Sequence, residues 1–175
     1  MVDLRDTVSD HLGGLESLIN KIPGYSGYKE KEMRREADSL LRNYLADRLA
    51  EELSRAEDVT GQMLTGPGLN QLDDMGKGNT RLQTLIDKVK TAAQGYAGFF
   101  DAVKFKEEEL DILYEHDEDM LRQVDEIAAA IDSIQAALDS GDDSKLAPSV
   151  RRYVKTVSDA SALFDKRKEA ILGFA

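Results

Sequence analysis

Two histidines and many carboxylates are the side chains of this 175-residue chain that could do chemistry, since it has no cysteine. A di-iron carboxylate bundle needs a glutamate three residues before a histidine. At that spacing, Val8 precedes His11 and Leu113 precedes His116. A zinc protease motif needs a second histidine four residues after the first, and the chain has no such pair. The sequence therefore predicts no metal site, no cofactor and no thiol nucleophile.

Two further segments come close to ligand-binding loops but miss key positions. Around Gly76-Lys77, a phosphate-binding loop would need glycine where Gln71 stands and serine or threonine where Gly78 stands. The acidic segment 139–143 lacks the glutamate that closes a calcium loop at its twelfth position. We interpret that segment as a turn between helices, with Asp143 or Ser144 as the N-cap.

Most of the net charge of −11 lies in one short segment. Residues 101–119 contain nine acids and two bases, a net charge of −7, and the rest of the chain is nearly balanced. Four of these acids share one face of a helix: Glu108, Asp111, Glu115 and Glu118. Such a row suits a basic partner or a divalent cation. Alternatively, it is a solvated face whose first acids complement the helix dipole.

Asp117 is unusual because it falls on an apolar stripe, between Tyr114 and Leu121. A carboxylate there needs an arginine or lysine from another helix, or it must face water. Its neighbour His116 has a side chain that can titrate near neutral pH. Two interpretations stay open: Asp117 fixes the register of the helices, or Tyr114, His116 and Asp117 form an internal polar site.

Two short strings combine glycine with aromatic residues, at 24–28 and 95–99, and we call them the Gly-aromatic elbows. The preceding segments, 15–22 and 82–89, resemble each other, which fits either an old duplication or chance. Glycine permits close backbone approach, and the rings supply apolar area. The elbows either cap the end of the fold or bind a partner through exposed rings. The rings concerned are Tyr25, Tyr28, Tyr96, Phe99 and Phe100.

The elements that position these residues follow from apolar periodicity near 3.6 and from glycine and proline breaks. The pattern predicts five amphipathic helices, over about 4–21, 29–60, 80–100, 105–139 and 147–172, and a flexible Gly-rich loop at 61–79. Proline in the first turn of the last helix is tolerated there. Each helix has one apolar stripe that must face the others. We therefore expect one all-α domain, an elongated antiparallel helical bundle that is coiled-coil-like in part.

Composition and charge exclude several classes of function. An acidic chain is unsuited to nucleic acid and is repelled by anionic lipid, so we expect no nucleic-acid partner and no membrane contact. Two basic clusters, at 151–155 and 166–168, are the segments that could contact lipid or an acidic partner. No apolar run approaches the roughly 20 residues of a membrane span. Because the N-terminus does not resemble a signal peptide, we expect a cytoplasmic protein.

The function we expect is that of a non-enzymatic protein-interaction or scaffold module that acts through helix faces and the Gly-aromatic elbows. No paired carboxylates stand out as a catalytic motif, so we expect no enzyme. The expected partner is a protein with a basic surface, or a second copy of the chain in a homo-oligomer. The alternative is a helical bundle that binds a small ligand or a divalent cation.

Overall fold

A computed structural model describes residues 14–92, 100 and 104–173, and the elements that it contains there are all helical. The prediction of an all-α bundle is therefore confirmed. The α-helices described there are α1 (14–21), α2 (Arg34–Met63), α3 (Leu72–Thr91), α4 (Glu107–Ser140) and α5 (Asp143–Gly173), and Phe100 is also helical. Single 3-10 turns precede α2 and α3, at Lys31–Met33 and Leu69–Gln71.

The four long helices form two antiparallel hairpins, α2–α3 and α4–α5, that pack side by side. α2 contacts α3 and α4, and α5 contacts α3 and α4, so α3 and α4 occupy opposite corners. Across the two hairpins the neighbouring helices run parallel. Side-chain pairs between α2 and α4 advance together along both helices: Arg48 with Asp125, Arg55 with Asp132 and Gln62 with Gln135. The end of α3 and the beginning of α4 therefore lie at the same end of the bundle.

The core follows the predicted apolar stripes. In α4 the buried positions recur every three or four residues, as the 3.6-residue period requires. They include Leu113, Val124, Ile127, Ile131 and Ile134, each nearly inaccessible to solvent. Burying one such side chain contributes roughly 1.5–3 kcal/mol. Within the described part of the chain, no helix combines the length and the apolar character needed to cross a bilayer.

The prediction of a flexible loop at 61–79 is wrong over much of that range. α2 continues to Met63, and α3 begins at Leu72, so that Gly76 and Gly78 are helical. Gly78 is a packing residue, because a Cβ atom there would lie 2.5 Å from Cε1 of Tyr153 in α5. The positions of glycine and proline in the sequence do not distinguish this packing glycine from one that ends a helix. The actual turn depends on Gly68, whose φ of +122° favours glycine.

Other helix ends also differ from prediction: α2 begins at Arg34 and not at about 29, and α3 ends at Thr91 and not at about 100. α5 begins at Asp143, and its N-terminus is capped by Asp142, whose carboxylate accepts a bond from the backbone N–H of Ser144 at 3.1 Å. Asp143 and Ser144 are thus already helical, and Pro148 lies beyond the first turn. The predicted helical residues 4–13 and 93–99 lie outside the described residues.

Candidate functional site

Asp117 in α4 is fully buried and accepts two side-chain hydrogen bonds. Nε of Arg167 donates to its Oδ1 at 2.5 Å, and the hydroxyl of Tyr28 donates to its Oδ2 at 2.6 Å. Arg167 belongs to α5, so of the two expected alternatives the carboxylate takes a cationic partner from another helix and does not face water. The segment before α2 contributes the third member through Tyr28.

A second carboxylate completes a charge-balanced cluster. Nη2 of Arg167 donates to the Tyr28 hydroxyl at 3.0 Å and to Oδ1 of Asp38 at 2.9 Å. Oδ2 of Asp38 accepts from Nε of Arg42 at 2.8 Å. The cluster thus holds two carboxylates and two guanidinium groups. We call Tyr28, Asp38, Arg42, Asp117 and Arg167 the buried ion network.

Burial dominates the electrostatics of this network. It raises the pKa of Asp117, although the charge and the hydrogen bond of Arg167 oppose the increase. Burial also disfavours the charge on Arg167, but Asp117 and its other neighbours outweigh that effect and raise the arginine pKa. Burial and the nearby Asp117 raise the pKa of Tyr28, which stays a neutral donor. The network is closed to solvent and links three helices, so its geometry suits fixing their register.

The predicted internal site is brought together only in part. The hydroxyl of Tyr114 accepts from the backbone N–H of Tyr28 at 2.7 Å, and the two rings stack 5.5 Å apart. His116 is not part of this group, because one residue along a helix rotates its side chain by about 100° from Asp117. It is half-buried, and its Nδ1 has no hydrogen-bond partner among the described residues. Tyr114 and Asp117 are therefore neighbours in the core, and His116 stands apart.

The two rings of the first elbow and the ring of Phe100 are internal. Tyr25, Tyr28 and Phe100 are at most 4% exposed. Tyr25 meets Tyr28 edge to face at 5.9 Å, and Phe100 stacks on Tyr28 at 6.0 Å. Gly27 permits this packing, since a Cβ atom there would lie 2.6 Å from the Tyr114 hydroxyl oxygen. The prediction that these three rings form an exposed partner patch is wrong; Tyr96 and Phe99 lie outside the described residues.

The acidic row lies on the surface of the first half of α4. Glu108 and Glu115 are exposed, Asp111 is half-buried, and Ile112 stands among them with 43% of its surface exposed. We call these four residues the α4 outer face. Glu118, the fourth acid of the predicted row, is half-buried and borders α1, where its Oε2 is 3.4 Å from the position of a Cβ on Gly14. The described residues contain no group of three or more acids or histidines placed to hold a metal ion.

Comparison with known proteins gives no relative. Neither protein-family models, nor curated proteins, nor solved structures match this chain. The function must therefore be inferred from the geometry of the chain itself.

Sequence reasoning missed three members of the buried ion network. Arg167 belongs to the basic cluster 166–168, which suggested an exposed position, but its side chain is fully buried. A signal was present, because Arg167 follows Ala160 and Phe164 at the spacing of the apolar stripe of α5. Asp38 likewise follows Ala37 on the buried side of α2, and Arg42 lies one turn further on.

Proposed function

We propose that this chain is a non-enzymatic protein-interaction module whose α4 outer face binds a basic amphipathic helix. The observation that carries the proposal is Ile112, an exposed aliphatic side chain on a regular helix with Glu108 and Glu115 one turn away on either side. A single exposed isoleucine is common on protein surfaces. Its position within a concentrated acidic surface is what favours a docking role.

The charge of this region exceeds what the helix itself requires. From Glu107 to Asp119, α4 carries eight acids and no base, and Asp117 alone among them is fully buried. The three acids of the first turn complement the helix dipole, whose effect fades within one turn. Asp111 and Glu115 lie beyond that turn, and each also interacts with another group of the chain. A field of this sign attracts basic partners and speeds their association.

The preferred partner is a helix with lysine or arginine around an apolar residue. Such a helix would place its apolar side chain against Ile112 and its cations against Glu108 and Glu115. A second copy of this chain fits less well, because it would bring two acidic faces together. The predicted internal polar site does not favour small-ligand binding, since Tyr28 and Tyr114 stack there and Asp117 is already paired.

The test uses a helical peptide with lysine and leucine on one face, which we call the basic peptide. Titration of the basic peptide into isotopically labelled protein, followed by NMR, should show saturable 1:1 binding with shifts along the α4 outer face. Glu115→Gln and Ile112→Ala should each weaken binding several-fold. Their matched controls are Glu57→Gln, at an exposed acid of α2, and Leu69→Ala, at an exposed leucine between α2 and α3. Both controls should bind as the wild type does.

Two results would overturn the proposal. One is binding of the basic peptide that the α4 variants leave unchanged. The other is equal weakening by the control variants, which would indicate attraction to net charge alone. Light scattering on the chain without peptide would show whether Ile112 mediates self-association, and an Ile112-dependent dimer would replace the proposed partner with a second copy.

A further inference from the structure

A pocket of about 130 Å³ lies between α1, α2 and α4, away from the α4 outer face. It is separate from the buried ion network. Six residues line it: Lys21, Tyr44, Arg48, Leu121, Val124 and Asp125. Three different helices thus contribute to its walls.

The floor of the pocket is apolar and its size is restrictive. Leu121 and Val124 are buried core residues, and the half-buried Tyr44 adds one side. A cavity of about 150 Å³ lined by apolar side chains accepts benzene. The pocket therefore matches a single six-membered ring and is too small for a nucleotide or an acyl chain.

Among the residues that line the pocket, Lys21 and Arg48 are positively charged and Asp125 is negatively charged. Nε of Arg48 is buried and has no hydrogen-bond partner among the described residues. The two acids near its guanidinium lie beyond hydrogen-bond distance. Oε2 of Glu51 is 3.7 Å from Nε, and Oδ1 of Asp125 is 3.9 Å from Nη2. The Arg48 side chain is 37% exposed, so its guanidinium can still pair with an anionic acceptor in the pocket.

We propose that this pocket binds a small aromatic monocarboxylate. The ring would lie on Leu121 and Val124, and the carboxylate would accept a hydrogen bond from the guanidinium of Arg48 while Lys21 supplies a second positive charge. A monoanion suits this pocket better than a phosphate dianion, because Glu51 and Asp125 both lie near the guanidinium of Arg48 and would repel a second negative charge. This site is independent of the α4 outer face, and either proposal can fail without the other.

Benzoate is the probe, and benzamide is its neutral counterpart of similar shape. NMR titration of the full chain should show saturable benzoate binding with a dissociation constant on the order of 1 mM, as expected for so few atoms. Shifts should concentrate at Tyr44, Leu121 and Val124. Benzamide should bind at least about fivefold more weakly, because it lacks the charge that Arg48 and Lys21 favour.

Variants of the charged residues sharpen the test. Arg48→Gln should weaken benzoate binding about tenfold, whereas Arg151→Gln, at an exposed arginine of α5, should leave it unchanged. Arg48→Lys keeps the charge but lacks the planar donor group. Its affinity for benzoate should lie between those of the wild type and Arg48→Gln. Asp125→Asn should tighten binding. The proposal is overturned if benzoate fails to saturate, if benzamide binds equally well, or if folded Arg48→Gln and Arg48→Lys variants both bind as the wild type does.

Discussion

The bundle contains two contacts of opposite character, the buried ion network and a glycine contact between α3 and α5. In the glycine contact, the missing side chain of Gly78 lets Tyr153 approach closely, and the tyrosine hydroxyl donates to Oδ1 of Asn79 at 3.0 Å. The glycine contact selects its partner by shape and uses neutral groups. The buried ion network selects by charge and direction, and it joins α2, α4 and α5 at once.

The difference indicates where each contact is vulnerable. A shape-based contact fails when volume is added, because the backbone of one helix already touches a ring of the other. A charge-based contact fails when one member is removed, because the remaining charge stays buried without its partner. Variants of the two contacts should therefore differ in size and in their dependence on pH.

Removal of Arg167 should have the largest effect. Arg167→Met keeps most of the side-chain volume but leaves Asp117 without its cation, and we expect a loss of about 3–5 kcal/mol in the free energy of unfolding. Urea denaturation followed by circular dichroism measures this change. The neighbouring Lys166→Met, at an exposed position, is the control and should change little. A loss below about 1 kcal/mol for Arg167→Met would contradict a central role of the network.

Removal of one hydroxyl from each contact compares them directly. Tyr28→Phe removes the hydrogen bond that the hydroxyl donates to the charged Asp117 and the one that it accepts from Arg167, and it should cost about 1.5–3 kcal/mol. Tyr153→Phe takes a hydrogen bond from the neutral Asn79 and should cost about 0.5–1.5 kcal/mol. Urea denaturation of both variants under one set of conditions gives the comparison. Equal losses would mean that charge adds nothing to the first contact.

Addition of one methyl group should change the stability of the fold in opposite directions at two glycines of α3. Gly78→Ala forces a Cβ atom against the Tyr153 ring and should destabilise the fold by about 1–3 kcal/mol. Gly76→Ala meets nothing within 4 Å and should stabilise the helix by up to about 1 kcal/mol. Thermal and urea unfolding of the pair provide the measurement. Stabilisation by both substitutions would disprove the close contact with α5.

The pH dependence of Arg167→Met should be the smallest of these effects. Burial already raises the pKa of Asp117 above its ordinary value of 3.8, and loss of Arg167 should raise it further. Between the unfolded and folded pKa values, the native state then binds a proton that the unfolded chain does not. Its stability should consequently increase as the pH falls through the folded pKa and decrease as the pH rises. The double variant Asp117→Asn/Arg167→Met has no carboxyl group at position 117 to bind this proton. It should therefore lose that part of the dependence of stability on pH.

Periodicity predicted the helices of the second hairpin to within a few residues, because their buried positions recur regularly. It failed at residues 72–79, since Gly78 serves packing and leaves the same sequence signal as a turn. Asp117 was detectable because a carboxylate interrupts an apolar stripe. Its partner was harder to find, because spacing shows which face of a helix is buried and not which charge from another helix meets it. The flanking lysines made Arg167 resemble part of a surface cluster.

The α4 outer face is tested most directly by exchange of charges on both sides of the proposed interface. Glu108→Lys/Glu115→Lys should lose the basic peptide and gain binding of a peptide with glutamate in place of lysine. A matched double variant on α2, Glu57→Lys/Asp58→Lys, changes the net charge equally and should keep the wild-type preference. NMR titration of both peptides into both variants is the measurement. If the α4 variant still prefers the basic peptide, the outer face of α4 is not the docking surface.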